Sequence, residues 1–508
     1  MCSSRVLHGY YLADDWASFA EAHFAGFSDM LNRQIELDIR RPVGALYLTL
    51  IFTLLGGHLK LLLALSAALH FLTAACLYAI LRELRFRWVD ATAIAVLVLL
   101  FPYADSTWLW ATESLASFAI VCVLLGSLLN LRAAAAHTQH RALLHVAGLA
   151  SIAAGMLTYE LVLPLALASG ALYFTKKPPR QALRVWLTDL VVFGIVIVVF
   201  TLHLIPVLHG SDVHEVVGFA EMRKHIHLIA SQFPTLLAYS LIPFGTPAGA
   251  SGVVLVLSVA ALALVVALLL NFKSHARGLL LRWLAVLACG IAVVALGYIA
   301  LIPSSTYYVP LQPGASNRIN AVAAIGYAIA AYAVAMLIAT LAFRDLPRSR
   351  ELIGGLAVLV VAVIGVGYSH RVDADKAAWH QSGVAQQAIL TTLRAHLPTP
   401  QRGASVITID APVESAPGVP IFEHTWDLAG AVQLIWSDPT LTGYPLAVGA
   451  TVGCAATQLL LHAVNAPEGW RAAYPAYIVD VANGATYAVT SQSSCVQAAT
   501  NLQVLANA

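Results

Sequence analysis

Apolar residues fill the first 370 positions in long blocks broken mainly by short polar connectors, and beyond Arg371 the pattern changes to short, alternating runs. A bilayer core about 30 Å thick takes roughly 20 apolar residues per helix. That ruler predicts spans near 60–82, 89–103, 108–130, 143–157, 160–175, 186–207, 251–271, 279–303, 318–343 and 351–368. The block over 142–175 is longer than one span, yet basic residues flank both ends, so it must cross an even number of times. A hairpin of two short helices fits, with its tip near "TYELVLP". The run from Pro42 to Leu55 reads as an interfacial or re-entrant helix, because an eleventh crossing would move the Arg82 connector to the outer side. Past the last span, the pattern predicts an amphipathic helix over 373–397, a strand in "ASVITID" at 404–410, a helix over 425–436, and a hairpin made of "AYIVDV" and "ATYAVTS". The expected fold is therefore mainly α, a polytopic membrane helix bundle of about ten spans with a small C-terminal α+β domain. Its divisions are 1–59, 60–369 and 370–508.

Charge supplies the orientation. Lys and Arg of short loops gather on the cytoplasmic side, and here they cluster at Arg82, Arg85 and Arg87, at Arg132 and Arg141, at Lys176, Lys177, Arg180 and Arg184, at Lys273, Arg277 and Arg282, and at Arg344, Arg348 and Arg350. Ten spans put every cluster on one side, which leaves 1–41, 104–107, 208–250, 304–317 and everything after 369 outside. Composition agrees: 59% of residues are hydrophobic and 11% charged, about half the charged share of a soluble domain. The net charge of +2 argues for no nucleic-acid surface. Residues 1–41 lack the apolar stretch of about 7 to 15 residues that marks a cleavable signal peptide. Either 1–59 is carried across by the following helix or a further span precedes it. Six cysteines stand at 2, 76, 122, 289, 454 and 495, without CxxC or zinc spacing. Cys454 and Cys495 fall in the outer domain, where an oxidising compartment would let them pair and stabilise it by a few kcal/mol; the plainer alternative is two buried thiols.

Ionisable residues at a bilayer edge are costly unless paired or functional. Asp14 and Asp15, in "HGYYLADDWASF", hold two carboxylates against an aromatic surface. Their mutual repulsion raises one pKa, which suits a general base, although a helix N-cap would account for Asp15 alone. Arg40 and Arg41 precede the Pro42 helix, placed for lipid head groups or a ligand phosphate. Glu160, beside Tyr159, is a carboxylate in an apolar hairpin, either paired or exposed at the tip. Glu113 stands one turn into its span near Trp108 and Trp110, where it can line an outward cavity. Arg318 opens a span after "STYYVPLQPGASN", against the positive-inside bias; it either snorkels or binds phosphate through its guanidinium fork. The "HIH" at 225–227 and "HTQH" at 137–140 lack a carboxylate to complete a metal set.

The "ADDW" segment, "RRPVGALYL", the "RELRFR" turn, "FPYADSTWLW", "TYELVLPL", "SNR" and an exported C-terminal domain together resemble the GT-C glycosyltransferases, in the bacterial group that includes protein O-mannosyltransferases and aminoarabinose transferases. Each motif is short; their order and common side of the membrane carry the likeness, which covers the whole chain in layout. The resemblance implies a multi-pass protein of the bacterial inner membrane with an extracytoplasmic C-terminal domain. It implies a polyprenyl-phosphate-linked sugar as donor, drawn from among the membrane lipids, and a hydroxyl of a glycan, lipid or protein as acceptor. Asp14 or Asp15 would be the base or position the acceptor, Arg318 and Arg41 would hold the donor phosphate, and Glu160, Tyr159, Glu113 and Trp108 would line the substrate cavity. The resemblance leaves open a divalent metal, Mg or Mn, and implies no other cofactor. A transporter or flippase of a lipid-linked substrate, or a non-catalytic scaffold, would share the apolar spans. A carrier, however, places its charges at the midplane and shows related halves, whereas these charges lie at the outer ends and no repeat is visible.

Overall fold

The computed structural model describes residues 2–135, 140–208, 218–244, 274–304, 308–343, 349–397 and 399–504. The span expected at 251–271, most of "HTQH" and the start of "STYYVPLQPGASN" fall outside them. Among the described residues six helical stretches are long and apolar enough to cross a membrane: Leu59–Glu83 (α4), Ser114–Ala135 (α7), Pro179–Val199 within α10 (Pro179–Leu208), Gly278–Ile299 within α12 (Ser274–Ile299), Gly314–Phe343 and Glu351–His396. The fifth joins a 3-10 turn, Gly314–Asn320, to α13 (Ala321–Phe343), and the sixth lies in α14 (Ser349–His396).

Four apolar helices are shorter. These are α3 (Pro42–Leu55), α5 (Trp88–Leu100), α8 (Arg141–Met156) and the stretch Glu160–Thr175, where α9 (Leu163–Ala168) sits between two 3-10 turns. α5 has 13 residues, so it rises only about 20 Å. Pro102 ends it, since the residue before a proline is driven to extended backbone and Phe101 has φ −63° and ψ 116°. The span expected over 108–130 begins at Ser114, because 106–109 form a separate single turn, α6 (Ser106–Leu109). The expected span at 351–368 and amphipathic helix at 373–397 are one 48-residue helix, α14, with no proline to interrupt it.

α13 is apolar all round and packs against α12, α14 and α5, as a central helix should. By contrast α10 leaves Val191, Ile195, Val198 and Val199 more than half exposed, and α14 does the same with Leu359 and Val366. Such uncovered apolar faces are those of helices whose solvent is hydrocarbon.

The C-terminal domain has the expected elements: β1 (Ser405–Ile409), α15 (Thr425–Trp436), and β8 (Ala476–Asp480) paired antiparallel with β9 (Thr486–Val489). β1 is buried at all five positions and lies parallel to both β4 (Thr442–Pro445) and β8, giving the order β4-β1-β8-β9. A hairpin of β2 (Glu414–Ala416) and β3 (Val419–Pro420) precedes α15, and β5 (Thr451–Cys454), β6 (Gln458–Ala463) and β7 (Ala466–Ala473) form a second, antiparallel sheet. Cys454, at the end of β5, is disulfide-bonded to Cys495 of α16 (Gln492–Asn501), across a Cα–Cα distance of 5.8 Å.

The N-terminal segment, α1 (Cys2–His8) and α2 (Asp14–Leu37), lies between the two parts. α15 rests on α2 where Gly430 meets the backbone of Trp16: a Cβ on Gly430 would come within 2.5 Å of it. Trp16 Nε1 donates to Gln386 of α14 at 3.1 Å, and Gln386 Nε2 donates to the Ile421 carbonyl at 2.5 Å. One amide thus ties α2, α14 and the C-terminal domain together.

Candidate functional site

Asp14 and Asp15 are the first residues of α2, and they part company there. Neither caps the helix, whose N-cap is Ala13. Asp15 is fully buried: Oδ1 accepts from the Thr112 amide and hydroxyl at 2.8 and 2.6 Å, and Oδ2 accepts from the Leu12 amide at 3.1 Å. Burial pushes its carboxyl up to about 6, against the pull of those bonds and of Arg5. Its oxygens hold the 110–113 turn against α2, so its work is structural. Asp14 is half-buried and accepts from Trp426 Nε1 of α15 at 2.6 Å.

Around Asp14 the structure gathers most of the charges singled out from sequence. Arg318 Nη1 meets Glu113 Oε1 at 3.0 Å and its guanidinium stands 5.8 Å from the Trp110 ring. Arg41 grips both oxygens of Glu160, with Nε to Oε2 at 2.6 Å, while Nη1 meets Asp38 at 2.9 Å; it lies 4.4 Å over the Tyr159 ring. Asp14 is within electrostatic reach of both Glu113 and Arg318, and Arg41 of Glu113. Arg40 instead reaches Asp38. Trp108 is not part of the group. It is buried beside His70, with ring centroids 5.9 Å apart, in the apolar cluster that also holds Leu12, Trp110 and Trp379; of the two tryptophans it is Trp110 that the Arg318 guanidinium approaches.

The placement follows from local chain geometry. Gly314 and Gly418 both have positive φ, +63° and +70°, and touch back to back, with Ala315 N donating to Gly418 O at 2.7 Å. A Cβ at Gly314 would fall 2.0 Å from that oxygen. This contact seats the turn carrying Arg318 against the β2–β3 hairpin. Val43 N donates to Leu157 O at 3.1 Å, which brings α3, and so Arg41, beside Tyr159 and Glu160.

The C-terminal domain contributes residues that the sequence reading did not include. Asp427, at the start of α15, takes the Glu423 and His424 amides on Oδ2 at 3.2 and 3.1 Å, and His424 stacks on Trp426 with centroids 4.3 Å apart. Burial first, then Asp14, push Asp427 well above the ordinary carboxylate range, and burial raises Glu423. The acidic residue three positions beyond His424 signals a helix start; nothing local signals that this start faces Asp14, 412 positions away.

Three polar atoms of the group are buried without a partner, Arg318 Nε, Asp427 Oδ1 and Trp110 Nε1. The first can donate to an anion and the second can accept from a hydroxyl. Each arginine pairs with a glutamate, and a guanidinium fork is a group that can also take phosphate oxygens. Among the described residues no three His, Cys, Asp or Glu side chains group as metal ligands. His225 of "HIH" has its Nε2 on the Tyr308 carbonyl at 2.6 Å.

No protein-family model matches the chain, and no curated protein sequence matches it.

Proposed function

We propose that the protein is a membrane glycosyltransferase that moves a sugar from a polyprenyl-phosphate donor to an acceptor hydroxyl at the outer face of the bacterial inner membrane. The observation that carries the reading is Arg318: a guanidinium paired once to Glu113, with its Nε lacking an acceptor, within electrostatic reach of the half-buried carboxylate of Asp14. Displacing a phosphate from an anomeric carbon needs positive charge on the leaving group and a base for the incoming hydroxyl.

In this reading Arg318 and Arg41 hold the donor phosphate. The acceptor oxygen attacks the anomeric carbon, the bond from that carbon to the phosphate oxygen breaks, and the acceptor proton passes to the Asp14 carboxylate. Polyprenyl phosphate leaves, and Asp14 later releases the proton to solvent. Trp426, donating to Asp14 Oδ1, sets the direction of the free oxygen, and Asp15 fixes the turn that presents Trp110 and Glu113. Glu160 and Tyr159 border the site, and Asp427 accepts from sugar hydroxyls. The chain crosses the membrane about ten times, with its basic connectors inside. The Cys454–Cys495 bond supports an oxidising compartment for the C-terminal domain.

The test is release of polyprenyl phosphate from a panel of polyprenyl-phosphate sugars by the purified protein. Wild type releases it, and Asp14→Asn and Arg318→Ala each lower the rate by about 10²–10³-fold while the protein stays folded. A folded wild type that is silent across the panel, or variants as fast as wild type, overturns the reading.

A further inference from the structure

On the other side of the Gly314–Asn320 turn lies a cavity of about 390 Å³, within the usual ~300–1,000 Å³ range of small-molecule sites. Neighbouring residues of that turn serve the two places: Arg318 faces Glu113, whereas Asn317 donates from Nδ2 to Asp105 Oδ1 at 2.7 Å. Asp105 is 0% exposed and lines the cavity, where its carboxyl is hydrogen-bonded to that of Asp375. The Asp375 carboxyl of α14 stands next to it and is itself paired to Arg371 Nε at 3.4 Å. The Arg371 side chain is 54% exposed. Tyr239 of α11 (Phe219–Leu241) adds a buried polar atom without a partner, its hydroxyl oxygen. Its ring stacks on Tyr103 with centroids 6.1 Å apart and planes 24° apart, and Trp379 completes the aromatic lining.

A buried, unpartnered hydroxyl and a carboxyl pair with no cation wholly its own, facing one cavity, are costly unless something fills it. The lining supplies acceptors in Asp105 and Asp375, donors in Arg371 and the Tyr239 hydroxyl, and flat aromatic faces. An ammonium ion only donates and a phosphate only accepts. A sugar ring does both and presents apolar faces to aromatic rings.

We propose that this cavity binds a neutral hexose-class sugar ring, the ring hydroxyls reaching Asp105, Tyr239 and Asp375. Burial and the Asp375 carboxylate push Asp105 well above the ordinary carboxylate range, so the pair can offer one donor and one acceptor to adjacent hydroxyls. Assigning that ring to the acceptor rests on the transferase reading; the binding does not.

The experiment is ligand-observed NMR on the full chain in nanodiscs with methyl glucoside, methyl mannoside and methyl galactoside, with ethanolamine as the cationic comparison and no lipid-linked donor present. At least one glycoside binds wild type in the millimolar range, ethanolamine does not compete, and Asp105→Asn and Tyr239→Phe each weaken binding about three- to tenfold. Should Asp105→Asn fail to fold, Tyr239→Phe, which removes one oxygen, carries the test. Absence of glycoside binding, indifference to the folded variants, or a preference for ethanolamine overturns the proposal. Glycoside binding without lipid-phosphate release would leave this site standing and remove the transferase.

Discussion

At the start of α5, Arg87 grips Asp90 through Nε at 3.0 Å and Nη2 at 2.8 Å, and the Tyr332 hydroxyl donates a further bond at 2.6 Å to a carboxylate only 1% exposed. Past the other end of α5, Arg318 reaches Glu113 at 3.0 Å and keeps its Nε without an acceptor. Both are arginine–carboxylate pairs at the edge of an apolar bundle, where an isolated charge is expensive. The first satisfies the carboxylate and ties α5 to α13. The second leaves donors and acceptors over, and further half-buried carboxylates crowd around it. A charge at a membrane edge is therefore weak evidence of function by itself; unspent hydrogen-bonding capacity in a shared space is the better sign.

This contrast can be broken by exchanging the expected losses. Asp90→Ala leaves the Tyr332 hydroxyl buried without its acceptor, and we expect about 2 kcal/mol of destabilisation, read as a lowered unfolding midpoint in detergent, with unchanged lipid-phosphate release per folded molecule. A fall in turnover at unchanged stability would place Asp90 in the chemistry and erase the distinction. At the other cluster, Trp426→Phe keeps the ring and removes the bond to Asp14. It should slow release about tenfold, the worth of a hydrogen bond to a charged group, at unchanged melting temperature. A loss confined to stability would make Trp426 mere packing.

The smallest effect concerns Asp15, whose folded pKa of about 6 lies above the ordinary 3.8 of an aspartate. The folded state then holds more protons than the unfolded state between these values, so the contribution of this group is fully present below about 4 and is lost as pH rises through about 6. Thermal melts of wild type and Asp15→Asn should show a steeper decline across that window in wild type than in the variant. Parallel curves would mean that the carboxyl is ionised throughout.

The neighbours Asp14 and Asp15 mark the limit of sequence reading. "ADDW" shows two carboxylates beside aromatic residues, but successive helical positions point about 100° apart, and which side met the Thr112 turn depended on packing more than ninety residues downstream. Likewise Arg41 and Glu160 were each visible as unusual charges, while their pairing required Val43 to dock on Leu157. Trp108 and Trp110 could not be told apart, since Trp108 lies within the separate single turn α6 and Trp110 at its C-cap, where the periodicity of α7 does not reach.

Composition and periodicity by themselves determined that long apolar helices dominate the first 370 residues, that an α+β domain with β1, α15 and the β8–β9 hairpin follows, and which ionisable residues were out of place. Those properties are local: a span needs only its own residues to be apolar, and a strand or cap only its own pattern. Folding in three dimensions decided how far each helix ran, that α14 continues unbroken out of the bundle, that the start of α15 closes over Asp14, and that Asp105 meets Asp375 across 270 positions. These depend on contacts between distant segments, through glycines such as Gly430 and Gly314 whose bare backbones admit a neighbour, and no local pattern carries the identity of the segment that arrives.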